Sequence, residues 1–207
     1  MAYGSLDFVV FSIVGNRQKR INLLLRDDYR LVSRLAGEPV VYILSAYTEK
    51  LSGRFARLKS GLYEHLSLSG RIKLSDIREY LTDEQYRRLR NIFPNGRIVF
   101  WGTSRRIGSR IKEGDIVAIY TDYCVYLGVV AYVINNERLA LGVWGQISRN
   151  KTWNHVFFLT NVVKLDHEDF NRIIGKDPSW MPRRWYFACL RGMERDKVLN
   201  YMQECME

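Results

Sequence analysis

Three tryptophans are the residues of this 207-residue chain best suited to chemistry: Trp101, Trp144 and Trp153. Trp101 is followed by Gly102 and Thr103, and Trp144 by Gly145. Each Trp-Gly pair sets a large flat ring beside a residue that lets a backbone approach closely. Rings brought together from three strand ends at one mouth of a small barrel would accept a planar base by stacking. Aromatic stacking contributes about 1–3 kcal/mol per base. On composition alone, the same rings suit a hydrophobic core better than a binding pocket.

Neighbouring charges favour the binding role. Arg105, Arg106, Arg110 and Lys112 follow Trp101 with no acidic residue before Lys112, and Arg149 and Lys151 lie between Trp144 and Trp153. Each aromatic anchor thus runs into a cationic, Gly- or Asn-containing loop. Phosphate-neutralising loops beside stacking rings are what single-stranded or flipped-base recognition requires. The formal net charge of +10 points the same way, as does an excess of Arg over Lys, since Arg suits bidentate phosphate contact.

Catalytic patterns are largely missing. The sequence has no GxxxxGK[ST], no GxGxxG after a strand and no GxSxG elbow. Asp115 and Asp122 could be imagined as a metal pair for phosphodiester cleavage, but Asp115 lies in a Lys-Glu-Gly-Asp turn where an acid is expected for turn geometry. Glu79, Asp83 and Glu84 surround a helix start, where acids suit the dipole. His155, alone before an apolar strand, reads as structural. Tyr42, Tyr47 and Tyr63 read as packing residues. Cys124, Cys189 and Cys205 form no CxxC, so neither a zinc site nor a disulfide framework is expected. No metal or cofactor is implied. The cysteine usage, and the absence of a secretory signal or a membrane-length apolar run, suit a cytoplasmic chain.

The elements that must position these residues fall into two parts, divided at Pro94-Asn95-Gly96. In residues 1–95, Phe8–Val14 and Pro39–Ala46 read as strands, and Ile21–Leu35 and Thr48–Leu66 as helices, the latter weakened by Gly53 and Gly61. Ser75–Leu81 is a short helical piece. Thr82 caps a further helix, with Gln85 completing a capping box. From residue 96, strands are expected at Arg97–Trp101, Ile116–Tyr120, Val125–Ile134, Leu139–Trp144, Val156–Leu165 and Trp185–Leu190. Asn135-Asn136 reads as a hairpin turn and Ser104–Lys112 as a flexible connector. Helices are expected at Asp166–Ile174 and Met193–Met206. The pattern is α+β: a small, partly open β-barrel decorated by helices over residues 96–192, an N-terminal α/β segment over 1–95, and a C-terminal helix over 193–207.

Residues 97–165 resemble the EVE domains of the PUA-like superfamily. The likeness is carried by FWGTS (100–104), KEGDIVAIY (112–120), LGVVAYV (127–133), NNERLALGVWG (135–145) and TWNHVFFLTNV (152–162). It is similar in particular to the N-terminal DNA-recognition domains of McrB-type restriction proteins, and more loosely to YTH domains. The resemblance implies a module that captures a flipped, methylated base, without catalysis of its own. Trp101 would be a stacking wall, Gly102 and Thr103 would face the base edge, and Trp144 and Trp153 would be further walls. In that family the partners are nucleic acid, an AAA+ GTPase motor and a McrC-type nuclease subunit. With no motor motif, the chain is expected to be part of a larger protein or a free-standing reader. The N-terminal segment would complete the barrel with strands such as Val40–Ala46 or form a separate addition. The competing readings are an RNA-binding PUA-like module without modification selectivity, a nuclease and a protein-interaction scaffold.

Overall fold

The computed structural model describes residues 10–11, 22–23, 38–46, 58–59, 62–63, 67–145, 153–183 and 186–206, the side chains of residues 10–11, 22–23, 58–59, 62–63 and of Arg105 excepted. Two small antiparallel strand pairs come from the first part: β1 (Val10–Phe11) with β2 (Asn22–Leu23), and β4 (Leu58–Lys59) with β5 (Leu62–Tyr63). Both β2 and the β4–β5 pair stand where the periodicity predicts helix. The rest of the expected strand at Phe8–Val14 and of the expected helices at Ile21–Leu35 and Thr48–Leu66 lies outside the described residues.

The main body is a seven-stranded sheet. Its strands are β3 (Val41–Ser45), β6 (Ile72–Lys73), β7 (Arg97–Thr103), β8 (Ile116–Tyr120), β9 (Val125–Asn135), β10 (His155–Leu165) and β11 (Phe187–Leu190). Their order is β11-β3-β8-β9-β10-β7-β6. All neighbours are antiparallel except β3 and β8, which run parallel. Among the described residues the sheet is open, with β11 and β6 as its edges. The mixed α/β character is as expected; barrel closure is not seen. β3 and β6 precede residue 95, yet they share this sheet with β7 to β11.

Alternation along the central strands feeds two cores. Val41 and Ile43 of β3, and Ile116, Ala118 and Tyr120 of β8, point to one; Tyr42, Leu44, Val117 and Ile119 point to the other. Burial on both faces explains why these strands read as unbroken apolar runs. β9 and β10 pair over most of their length, with register shifts after Phe158 and Thr160. Asn161 lies in the second irregularity with φ of 51°, and such bulges bend a strand.

Helices cover the faces. A 3-10 helix (Leu74–Tyr80) leads to α1 (Asp83–Ile92). The Thr82 hydroxyl accepts from Gln85 N, and the Gln85 side chain accepts from Thr82 N, each at 3.2 Å. The expected capping box is therefore present. The Ser104–Lys112 connector contains a single helical turn, α2 (Arg105–Gly108), closed by Ile107 and Gly108 N–H groups on the Ser104 carbonyl. α4 (His167–Ile174) and α5 (Gly192–Met206) lie against the second core. Asp166 occupies the cap position of α4 but makes no side-chain cap bond.

The predicted return strand Leu139–Trp144 is instead α3 (Glu137–Trp144). The reason is local. Asn136 accepts the Leu139 N–H at 2.8 Å, making it a helix cap rather than a hairpin residue. Its Nδ2 donates to the Tyr80 carbonyl at 2.8 Å, which ties the helix start to the 3-10 helix. Leu139, Ala140, Val143 and Trp144 then share a buried helical face.

Candidate nucleic-acid interface

The three indoles meet. Trp101 comes from β7, Trp144 from the last turn of α3, and Trp153 from the segment entering β10. Ring centroids are 5.2 Å apart for Trp101 and Trp153, 5.7 Å for Trp101 and Trp144, and 5.9 Å for Trp144 and Trp153. Interplanar angles of 45–68° make these tilted and edge-on contacts, a favourable aromatic packing. The rings touch one another directly. Trp101 and Trp144 are buried, and Trp153 is half-buried on their outer side.

Gly102 serves this packing, and Gly145 ends the helix that carries Trp144. A Cβ on Gly102 would fall 2.5 Å from the Trp144 ring and 2.7 Å from the Trp153 carbonyl oxygen. Gly102 thus lets an indole, rather than a ligand, lie on the backbone of β7. Gly145 ends α3 with φ of 74°, and its N–H bonds the Leu141 carbonyl at 3.0 Å. That left-handed conformation is cheapest for glycine.

Beside the rings lies one unusual polar atom. Thr103 is 5% exposed and its Oγ1 is buried with no hydrogen-bond partner. An unmade bond of this kind typically costs about 1–3 kcal/mol. Thr103 pairs across the ladder with His155, as Gly102 does with Val156 and Trp101 with Phe157. A Cβ on Gly108 would fall 2.2 Å from His155 Cβ and 2.8 Å from Thr103 Oγ1, so α2 is docked on both side chains. From sequence alone His155 reads as a structural residue. Its place opposite Thr103 follows from strand register, for which no local sequence signal exists.

Of the expected phosphate contacts, Arg106, Arg110 and Lys112 are exposed on and after α2. None is among the ion pairs of the described residues, which engage Arg78, Arg88, Arg172, Lys176 and Arg195. The Arg110 guanidinium lies 5.9 Å from the Phe187 ring centre, and its carbonyl accepts the Tyr42 hydroxyl at 3.0 Å. Phe187 and Tyr42 stack at 5.3 Å. The side chain of Arg105, and Arg149 and Lys151 altogether, lie outside the described residues.

Asp115 plays the turn role expected of it. Its carboxylate accepts Lys112 N at 2.7 Å and Val40 N at 3.0 Å, joining the turn before β8 to the entry of β3. Burial pushes its carboxyl above the usual range, against the pull of those two N–H groups. Burial, with the Asp115 charge next in size, likewise raises the Tyr42 hydroxyl. Among the described residues no three His, Cys, Asp or Glu side chains cluster as metal ligands. None of the described helices is long and apolar enough to cross a membrane.

No protein-family model matches the sequence. No curated protein matches it either. Among solved structures, the chain is similar to the N-terminal domain of Thermococcus gammatolerans McrB bound to m5C DNA. The two share 15% sequence identity with a TM-score of 0.56, over 81% of this chain and 99% of that one. The seven-stranded sheet and its flanking helices therefore resemble, as a fold, the McrB N-terminal DNA-recognition domain.

Proposed function

We propose that this chain is a DNA-binding reader of the EVE type in the PUA-like superfamily, which captures one methylated base swung out of the duplex. The observation that carries the reading is the tryptophan cluster, flanked by exposed cations and by a buried hydroxyl without a partner. Trp153, the half-buried ring, is the stacking platform, backed by Trp101 in a tilted contact and by Trp144 edge-on. Arg106, Arg110 and Lys112 neutralise phosphates alongside, with Arg105, Arg149 and Lys151 proposed for the same task. The solved relative of the same fold is bound to m5C DNA, which favours 5-methylcytosine as the base read. A methyl group adds apolar contact with the indole, worth about 1–3 kcal/mol of selectivity. The chain performs no chemistry in this reading. In a McrB-type system an AAA+ GTPase motor and a McrC-type nuclease would act on the DNA it holds.

The test is fluorescence anisotropy with matched duplexes carrying cytosine, 5-methylcytosine, adenine or N6-methyladenine at one position, and with the corresponding RNAs, at two salt concentrations. Tighter binding of the 5-methylcytosine duplex is expected. Trp153→Ala is expected to weaken that binding by about 1–3 kcal/mol. Equal affinity for methylated and unmethylated DNA, or a preference for RNA irrespective of methylation, would overturn the proposal.

A further inference from the structure

We infer that the β6–β7 edge of the sheet grips the phosphate backbone of the duplex beside the captured base, a role that rests on the base-capture reading above. Lys73 of β6 and Arg97 of β7 are directly opposed in the antiparallel ladder, and both are exposed. Opposed residues share one face, so two positive charges stand side by side, an arrangement that weakens a sheet. Neither side chain is among the ion pairs of the described residues. The carboxylate of Asp76 accepts the backbone N–H of Lys73 at 2.9 Å. β6 is the outermost strand. Blunting that edge against aggregation accounts for a lysine on β6. It gives no reason for an arginine directly across from it on β7, which β6 already covers.

The track continues onto α1. Arg87 and Arg90 are three residues apart, hence neighbours on the helix surface. Both are exposed and also outside those ion pairs. The acids of the helix, Asp83 and Glu84, lie in its first turn, and Asp83 meets Arg78. Gly96 fixes the other end of α1 against the edge. Its N–H donates to the Phe93 carbonyl at 2.8 Å, and its carbonyl accepts the Leu74 N–H at 2.7 Å. Phe93 closes α1, Leu74 follows Lys73, and Gly96 precedes Arg97. β7 joins this cluster to the tryptophans. By the period of two, Arg97 shares the face of β7 that carries Trp101, about 13 Å away along the strand. DNA rises about 3.4 Å per base pair, so the cations meet phosphates about four base pairs from the captured base.

Anisotropy with the 5-methylcytosine duplex over a salt series tests the track. Lys73→Gln combined with Arg97→Gln should weaken binding about three- to tenfold and make the slope of log affinity against log salt shallower by about 2. Phosphate contacts carry no base information, so the ratio between methylated and unmethylated duplexes should change by less than about twofold. Neutral methylphosphonates placed roughly three to five base pairs from the methylated base should weaken the parent and leave the double variant as it was. Lys73→Glu sets opposite charges across the ladder, so it should raise the melting temperature while weakening DNA binding. Two outcomes would overturn the inference and leave base capture standing. One is an unchanged salt slope in the double variant, in which case the pair only blunts the edge. The other is an equal effect of the methylphosphonates on parent and double variant. Equal affinity of the parent for methylated and unmethylated duplexes would overturn base capture through a separate readout, and a parent that binds no duplex would overturn both.

Discussion

Two aromatic clusters lie in the two cores of this protein, and they differ in how their polar groups are met. Against α4 and α5, Tyr120 packs on His167, Phe170 and Trp180 with centroids 5.6–5.8 Å apart. Its hydroxyl donates to Asn171 Oδ1 at 2.6 Å, and Asn171 Nδ2 donates to the carbonyls of Pro178 and Trp180 at 2.9 and 2.7 Å. His167 Nε2 meets the Thr121 carbonyl at 2.9 Å. Three nearby cations are matched: Arg172 by Glu168, Lys176 by Glu194, and Arg195 by Glu38. The tryptophan cluster of the other core has similar ring geometry, yet it keeps an unpartnered hydroxyl beside cations that have no ion pair among the described residues. Aromatic density is therefore common to both regions and cannot mark a binding site. Buried polar atoms without a partner occur on both sides, Thr103 Oγ1 beside the tryptophans and Asn161 Oδ1 on β10, whose amide nitrogen meets Met206 of α5. What distinguishes the Tyr120 cluster is that its hydroxyl and Asn171 are tied into one hydrogen-bonded network.

The largest effect that would test this contrast is on stability. Asn171→Ala removes three hydrogen bonds of a buried side chain at once and should lower unfolding free energy by about 3 kcal/mol or more. DNA affinity measured below the melting transition should stay unchanged. Urea titration and anisotropy check both halves, and a variant as stable as the parent would mean that the two clusters are not energetically distinct.

A second test compares the cations. Replacing Arg106 and Arg110 by Ala should make the slope of log affinity against log salt shallower by about 2, with all DNA sequences weakened alike. Replacing Arg172 and Arg195 should leave the slope as it was. Equal changes in the two double variants would erase the distinction between them.

The smallest effect concerns Asp115, which links the turn before β8 to β3. Burial holds its folded carboxyl above the ordinary value near 4. The folded state consequently takes up its proton before the unfolded state does. This group's penalty on folding applies in full above the folded pKa. It is relieved as pH falls through that value toward the unfolded one. Urea unfolding from neutral to acidic pH should show the parent gaining stability relative to Asp115→Asn over that interval. A parallel pair of curves would contradict the assignment.

Much of the fold was legible because its cues are local. β8 is found over the expected Ile116–Tyr120, and β9 and β10 each extend one residue beyond expectation. The Thr82 capping box needed only a hydroxyl and an amide three residues apart. The failures also have local causes. Leu139–Trp144 is apolar enough for a strand, and only the Asn136 cap and its anchor on Tyr80 select the helix. Arg105–Gly108 forms a helical turn although Gly102 and Gly108 suggested a plain connector. The meeting of three tryptophans was anticipated from their strand-end spacing. Their direct contact with one another, the burial of two of them, and the use of Gly102 to seat Trp144 were not.

By itself the sequence determined the apolar runs, the caps, the excess of positive charge and the nearness of tryptophan to arginine along the chain. Each is a property of neighbours within a few residues, where periodicity and capping chemistry act. Only the tertiary structure decided that Thr103 faces His155, that Trp153 lies outermost of the three rings, and that one hydroxyl is enclosed without a partner. Those facts depend on register between strands about fifty residues apart, and register is set by the packing of the whole sheet.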